Sequence, residues 1–129
     1  MKRWIHLLKT KDLRDWFVSE VSGIPGSMDG LPDTPNRAFS VSISGGLGLE
    51  TEGLLDKPSF TLLTRGVNGA DAEDYAYQLD EAWLNATEIQ IGDYVVKGTD
   101  RLGGPPSYVA TDDFRRVVRS ATYWCRIER

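Results

Sequence analysis

The sequence "RLGGPPSYVATDDFRR", residues 101–116, admits two different architectures. Two glycines and two prolines followed by paired aspartates suit either a phosphate-cradling loop beside a metal site or turn chemistry around a short strand. A phosphate loop uses a lysine and a following helix, and neither accompanies Gly103-Gly104-Pro105-Pro106. Adjacent residues of a strand point to opposite faces, so Asp112 and Asp113 would not converge on one cation there. In a turn, aspartates bond their own backbone. The stretch therefore reads as turn, strand, turn, with "PSYVA" as the strand between two neighbours.

Its neighbours agree. Downstream, "RRVVRSATYWCRIE" alternates as a long strand. Val117, Ala121, Tyr123, Cys125 and Ile127 line one face, and Arg116, Ser120, Thr122, Trp124 and Arg126 the other. Upstream, "IQIGDYVVKGTD" is strand material with a turn at Gly92–Asp93. Before that, "GADAEDYAYQLDEAWLNA" places Ala72, Tyr75, Ala76, Leu79, Ala82, Trp83 and Ala86 on one helical arc, with Asp71 as its expected cap.

Two further strands, "AFSVSIS" and "SFTLLTR", flank the glycine-rich "GGLGLETEGLLDKP". The first helix is "TKDLRDWFVSEVSG", capped by Thr10 or Asp12, with an apolar stripe that reaches back toward Trp4. Residues 22–37 hold three glycines and three prolines and form a long connection. The expectation is one domain over residues 1–129, of α+β class. Its order is α-β-β-α-β-β-β, with two main helices packed on a mainly antiparallel sheet.

Composition narrows the function. With 129 residues, a net charge of −4 and a pI near 4.9, the chain lacks the basic excess of a nucleic-acid domain, and no sequence-specific nucleic acid is expected as a partner. One cysteine, Cys125, and one histidine, His6, supply neither an intrachain disulfide nor a zinc set. No apolar run approaches the roughly 20 residues of a membrane span. The N-terminal apolar patch is broken by His6 and Lys9, unlike a signal peptide, so no membrane partner is expected and a reducing compartment is.

Catalytic motifs fail one by one. Gly46 and Gly48 begin a dinucleotide fingerprint that Thr51 and Pro58 end. "SISGG" lacks the glycine and helix of a hydrolase elbow. Asp71 and Asp74 lie one helical turn apart, as a Mg²⁺ pair would, but no phosphate-binding loop accompanies them. No catalytic residue, metal or cofactor is expected.

What remains is surface. From Gly66 to Val96 there is no lysine or arginine, while Asp71, Glu73, Asp74, Asp80, Glu81, Glu88 and Asp93 all fall there. The C-terminal segment carries Arg115, Arg116, Arg119, Arg126 and Arg129, which suit either phosphate contacts or an acidic partner. Tyr77 and Leu84 sit nearly in line on the polar arc of the second helix, and Trp124 on the polar face of the last strand. An acidic helix and an arginine-rich strand that meet head to tail between copies would close a ring. The candidate interface is therefore Glu73, Tyr77, Asp80, Leu84, Arg116, Trp124 and Arg126.

The order of elements, with "GIPGSMDGLPDTPNRAFSVSISGG", "SFTLLTRG", "DAEDYAYQLDEAWLN" and "DRLGGPPSYVATDDFRRVVRSATYWCRIE", resembles the tail terminator and minor capsid proteins of long-tailed bacteriophages. The likeness runs from Leu13 to Glu128. It implies a non-enzymatic virion subunit, made in the host cytoplasm, that assembles as a hexamer at the head–tail junction. Its implied partners are its own copies, the major tail tube protein and a head-closure or connector protein. Two alternatives stand beside it: a head-completion protein of the neck, and a small nucleic-acid-binding or Mg²⁺-dependent enzyme domain of a mobile element.

Overall fold

The computed structural model describes residues 8–43, 49–50, 55–56 and 58–128. In chain order its elements are α1 (Thr10–Glu20), β1 (Gly26–Met28), β2 (Ala38–Ile43), β3 (Leu49–Glu50), β4 (Leu55–Asp56) and β5 (Ser59–Gly66). There follow α2 (Gly69–Leu84), β6 (Ile89–Ile91), β7 (Tyr94–Arg101), β8 (Ser107–Thr111) and β9 (Val117–Glu128). Both helices pack on a largely antiparallel sheet, as the sequence pattern predicts, and the extra strands are short ones at its margins. The rest of the glycine-rich loop (residues 45–53 apart from Leu49–Glu50) lies outside the described residues, as do Trp4 and His6.

β9 is the spine. Along one side it pairs with β5, from Ser59↔Trp124 to Gly66↔Val117, and then with β4. Along the other it pairs with β8 and then β7. β2 adds to β5, and β1 to β2, this last pairing being parallel.

The alternation read from β9 holds. Ala121, Tyr123, Cys125 and Ile127 are buried under the helices, against Phe60 and Leu62 of β5 and Phe39 and Val41 of β2. α1 contributes Leu13 and Phe17, and α2 contributes Leu79 and Trp83. Phe60 meets the Trp83 ring edge-on at 4.9 Å and stacks on Tyr123 at 5.6 Å. Each such fully buried side chain contributes about 1.5–3 kcal/mol relative to exposure.

The helix starts differ from expectation. α2 is capped by Asn68, whose side chain accepts from Asp71 N–H at 2.9 Å; the Asp71 carboxylate reaches back to Val67 N–H at 2.9 Å. That reciprocal pair satisfies two orphan donors, so Asp71 serves one turn inside the helix rather than as the cap. α1 begins at Thr10 after Lys9, with no side-chain cap, and Leu8 and Lys9 are not helical. The helix therefore does not run back continuously toward Trp4. Gly66 ends β5 directly beneath the backbone of Ala72, and a Cβ there would collide with it, so only glycine lets α2 start so close to the sheet.

The decisive stretch is half as expected. Asp112-Asp113-Phe114-Arg115 is a true reversal, closed by Arg115 N–H to Asp112 O at 3.0 Å and by a left-handed Arg115 (φ 64°). Residues 102–106 are not a reversal. Arg101 faces Tyr123 and Ser107 faces Ser120, so five residues arch out opposite only two, Ala121 and Thr122, and the chain resumes in the same direction. β7 and β8 are thus two lengths of one line, interrupted by an arch that Gly103 (φ 101°) permits.

Candidate assembly interface

Two arginines explain how the proline-rich connection is held. Arg65 of β5 donates to Asn36 O at 2.8 Å and Pro35 O at 2.7 Å. Arg116 donates to Asp33 O at 2.6 Å and to the Asp112 carboxylate at 2.6 Å. Both side chains are buried. Burial lowers the pKa of Arg65, and the neighbouring Arg116 charge lowers it further. Burial alone would raise Asp112, but hydrogen bonds from Arg116 N–H, the Arg116 guanidinium and Phe114 N–H outweigh it, and the net pKa is lowered. Arg116 is consequently a fastening inside one chain. It is 8% exposed, which leaves little of it for a neighbour.

The acidic helix and the arginine strand do meet, but within the chain. Arg119 Nη2 lies 3.2 Å from Glu73 Oε2. Arg101 Nε lies 3.3 Å from Asp80 Oδ1, which also accepts from Tyr123 Oη at 2.8 Å. Burial first, and the bond to Asp80 second, push the Tyr123 phenol far up. Arg37 clasps Asp71 with two bonds, at 2.7 and 3.1 Å, and holds its carboxyl below the ordinary range. Sequence charge patterning identifies such partners without saying whether they belong to one copy or two. Here they close α2 onto its own sheet.

The remaining candidates divide. Tyr77 is exposed, and Leu84 is half-buried against the core rather than standing on an open face. The two nevertheless share one recess of about 420 Å³, bordered by Asp80, Glu81, Asn85 and Pro105 of the arch. Trp124 is half-buried on the opposite face of the sheet, between Ser59 of β5 and Asp100 of β7. Arg126 is exposed on that same face, beside Gly98. The seven candidates therefore occupy two faces, and Tyr77, Asp80 and Leu84 share the recess over α2.

The sequence reading missed the most exposed apolar surface. Phe114 is 76% exposed, Tyr108 60%, Val109 52% and Leu102 48%, all on the arch, β8 and its turn. Every residue of β8 is exposed, and among the described residues it pairs with β9 alone. A continuous "YVA" run resembles a buried strand, which hid this arm; the aromatic between two charges at Asp113-Phe114-Arg115 was the available signal.

Among the described residues no three His, Cys, Asp or Glu side chains gather as a metal set, and no helix is long and apolar enough to cross a membrane.

No protein-family model matches the chain, and no curated protein matches it. Among solved structures, one chain without a descriptive name superposes with a TM-score of 0.52 at 18% identity, covering 97% of this chain and 95% of that one. A chain from the virion of a native gene transfer agent particle superposes with a TM-score of 0.59 at 15% identity, covering 92% of this chain and 90% of that one. At such identities the likeness is one of fold: over nearly its whole length this chain has the α+β fold of a chain from a gene transfer agent virion.

Proposed function

We propose that this chain is a structural, non-enzymatic virion subunit of the tail-terminator kind. Its copies form a hexameric ring at the head–tail junction. The ring caps the tail tube, ends its growth and offers a surface to the head connector. The observation that carries the reading is the arm from Leu102 to Arg115, an edge strand exposed on both faces with four large apolar side chains in solvent. Large apolar side chains left in solvent along a sheet edge are a hazard for a monomer and an asset for a subunit. The fold shared with a chain of a gene transfer agent virion supports the kind of particle.

Native mass spectrometry over a concentration series, with negative-stain images of the same sample, tests this. Six-fold rings with an open centre are expected, and they should bind the ends of purified tail tubes. A monomer at every concentration that also ignores tubes would sink the proposal.

A further inference from the structure

We infer that the turn after β8 is a plug, and that the recess over the C-terminal half of α2 on a second copy of this chain is its socket. The inference rests on the ring reading and names the contact that would build the ring.

The plug is preorganised. Asp112 Oδ1 accepts from Phe114 N–H at 2.9 Å and from Arg116 N–H at 3.0 Å, and Arg116 ties the turn to Asp33. The Phe114 ring lies 5.2 Å from the Arg116 guanidinium yet remains largely in solvent. Beside it, Arg115 is exposed and makes no ion pair among the described residues. A rigid turn that presents an aromatic ring and a guanidinium loses little conformational freedom on docking.

The socket is complementary. Tyr77, Leu84 and Pro105 give the recess of about 420 Å³ an apolar floor, which is room for an aromatic side chain. It adjoins a groove between α1 and α2 through Glu81 and Asn85, shared by both, and Glu20 also lines that groove. Glu20 and Glu81 are exposed and make no ion pair among the described residues, and neither helix has a basic residue in its last turn. An unpaired guanidinium and two unpaired carboxylates are thus left over on one chain.

They cannot meet on the same copy. The plug lies by the N-terminal end of α2, where β9 begins opposite Gly66, whereas the socket lies at its other end. From Glu73 to Leu84 the helix rises ~16 Å. A contact between two unlike patches of the same chain is heterologous, and such contacts close into a ring where the rotation between copies closes.

The test uses two single variants, Arg115→Cys and Glu81→Cys, mixed at high concentration and oxidised. Native mass spectrometry of Arg115→Glu, Glu81→Arg and the double variant runs alongside. The native Cys125 is buried and does not compete. Expected are a disulfide that joins one variant to the other, an at least tenfold weaker assembly for each single charge reversal, and recovery in the double. Rings with no such disulfide and no effect of charge reversal would overturn the inference while the ring stands; the plug would then face another virion protein. A disulfide without rings would keep the contact and remove the ring. Neither disulfide nor rings would overturn both.

Discussion

Val117 to Ser120 of β9 has β5 on one side and β8 on the other, and the two neighbours have opposite fates. β5 is buried along nearly all its length, while every residue of β8 is exposed. Their sequences, "SFTLLTRG" and "SYVAT", are both good strand material. The difference lies in what each has beyond it. β5 has β2 on its far edge and α2 across its face, and among the described residues β8 has neither a strand nor a helix beyond it. Burial here comes from what packs beyond each strand rather than from the strand's own residues, so Val117 to Ser120 is covered on the β5 side and leaves β8 in solvent on the other.

Breaking the covered side should cost most. Trp83 is fully buried between Phe17 and Phe60, so Trp83→Ala removes the largest core side chain and leaves a cavity. The expected loss is about 3–5 kcal/mol by urea melting. A smaller loss is expected from Arg116→Met, which removes the guanidinium bonds to the Asp33 carbonyl and to the Asp112 carboxylate together; hydrogen bonds to charged groups put it at about 1.5–3 kcal/mol. It should also loosen the turn beside β8, seen as faster hydrogen exchange at Phe114 N–H and Arg116 N–H, with the core amides unchanged.

Acid should act next, and on the fastenings rather than the core. Asp71 is lowered by its bond from Arg37, and Asp112 by Arg116 and Phe114 against the opposing effect of burial. A carboxylate held below its unfolded value stabilises the fold fully above about pH 4 and loses that contribution as pH falls through the lowered value. Melting temperature should therefore be flat from pH 7 to about 5 and decline below 4. Arg37→Gln should flatten part of that decline. An unchanged curve in this variant would show that the Asp71 pair contributes nothing.

How much of this was legible in the sequence follows the same division. Helical and strand periodicity identified α2, β2, β5 and the inward face of β9, because apolar spacing records a buried layer directly. The turn at Asp112–Asp113 was legible from local chemistry. The arch at residues 102–106 was not, because glycine and proline announce a departure from regular backbone without saying whether the chain reverses. Arg116 looked like surface because its acceptors include Asp33, 83 positions away. Glu73 and Asp80 looked available because Arg119 and Arg101 carry no mark of which copy they serve. This intrachain pairing also disqualifies charge reversal at Glu73 or Asp80 as an assembly test, since either would strain the single chain first.

On the uncovered side, fold and assembly should separate. Phe114→Ala removes a ring that is three-quarters in solvent, so melting should stay within about 0.5 kcal/mol of the parent while assembly weakens. The finest distinction lies one residue earlier. Asp113 is exposed beside Arg115, so the plug carries an acid as well as a base, and the groove it faces holds Glu81 and Glu20. Asp113 would therefore oppose the docking that Arg115 favours. Asp113→Asn keeps the side-chain shape and removes the charge, so it should tighten assembly about twofold at low salt, in line with surface pairs of a few tenths of a kcal/mol. The gain should fade as ionic strength rises and shortens the screening length. A loss of assembly instead would mean that Asp113 meets a basic group, and the plug would then belong against an arginine-bearing surface such as that around Arg126 rather than in the α2 groove.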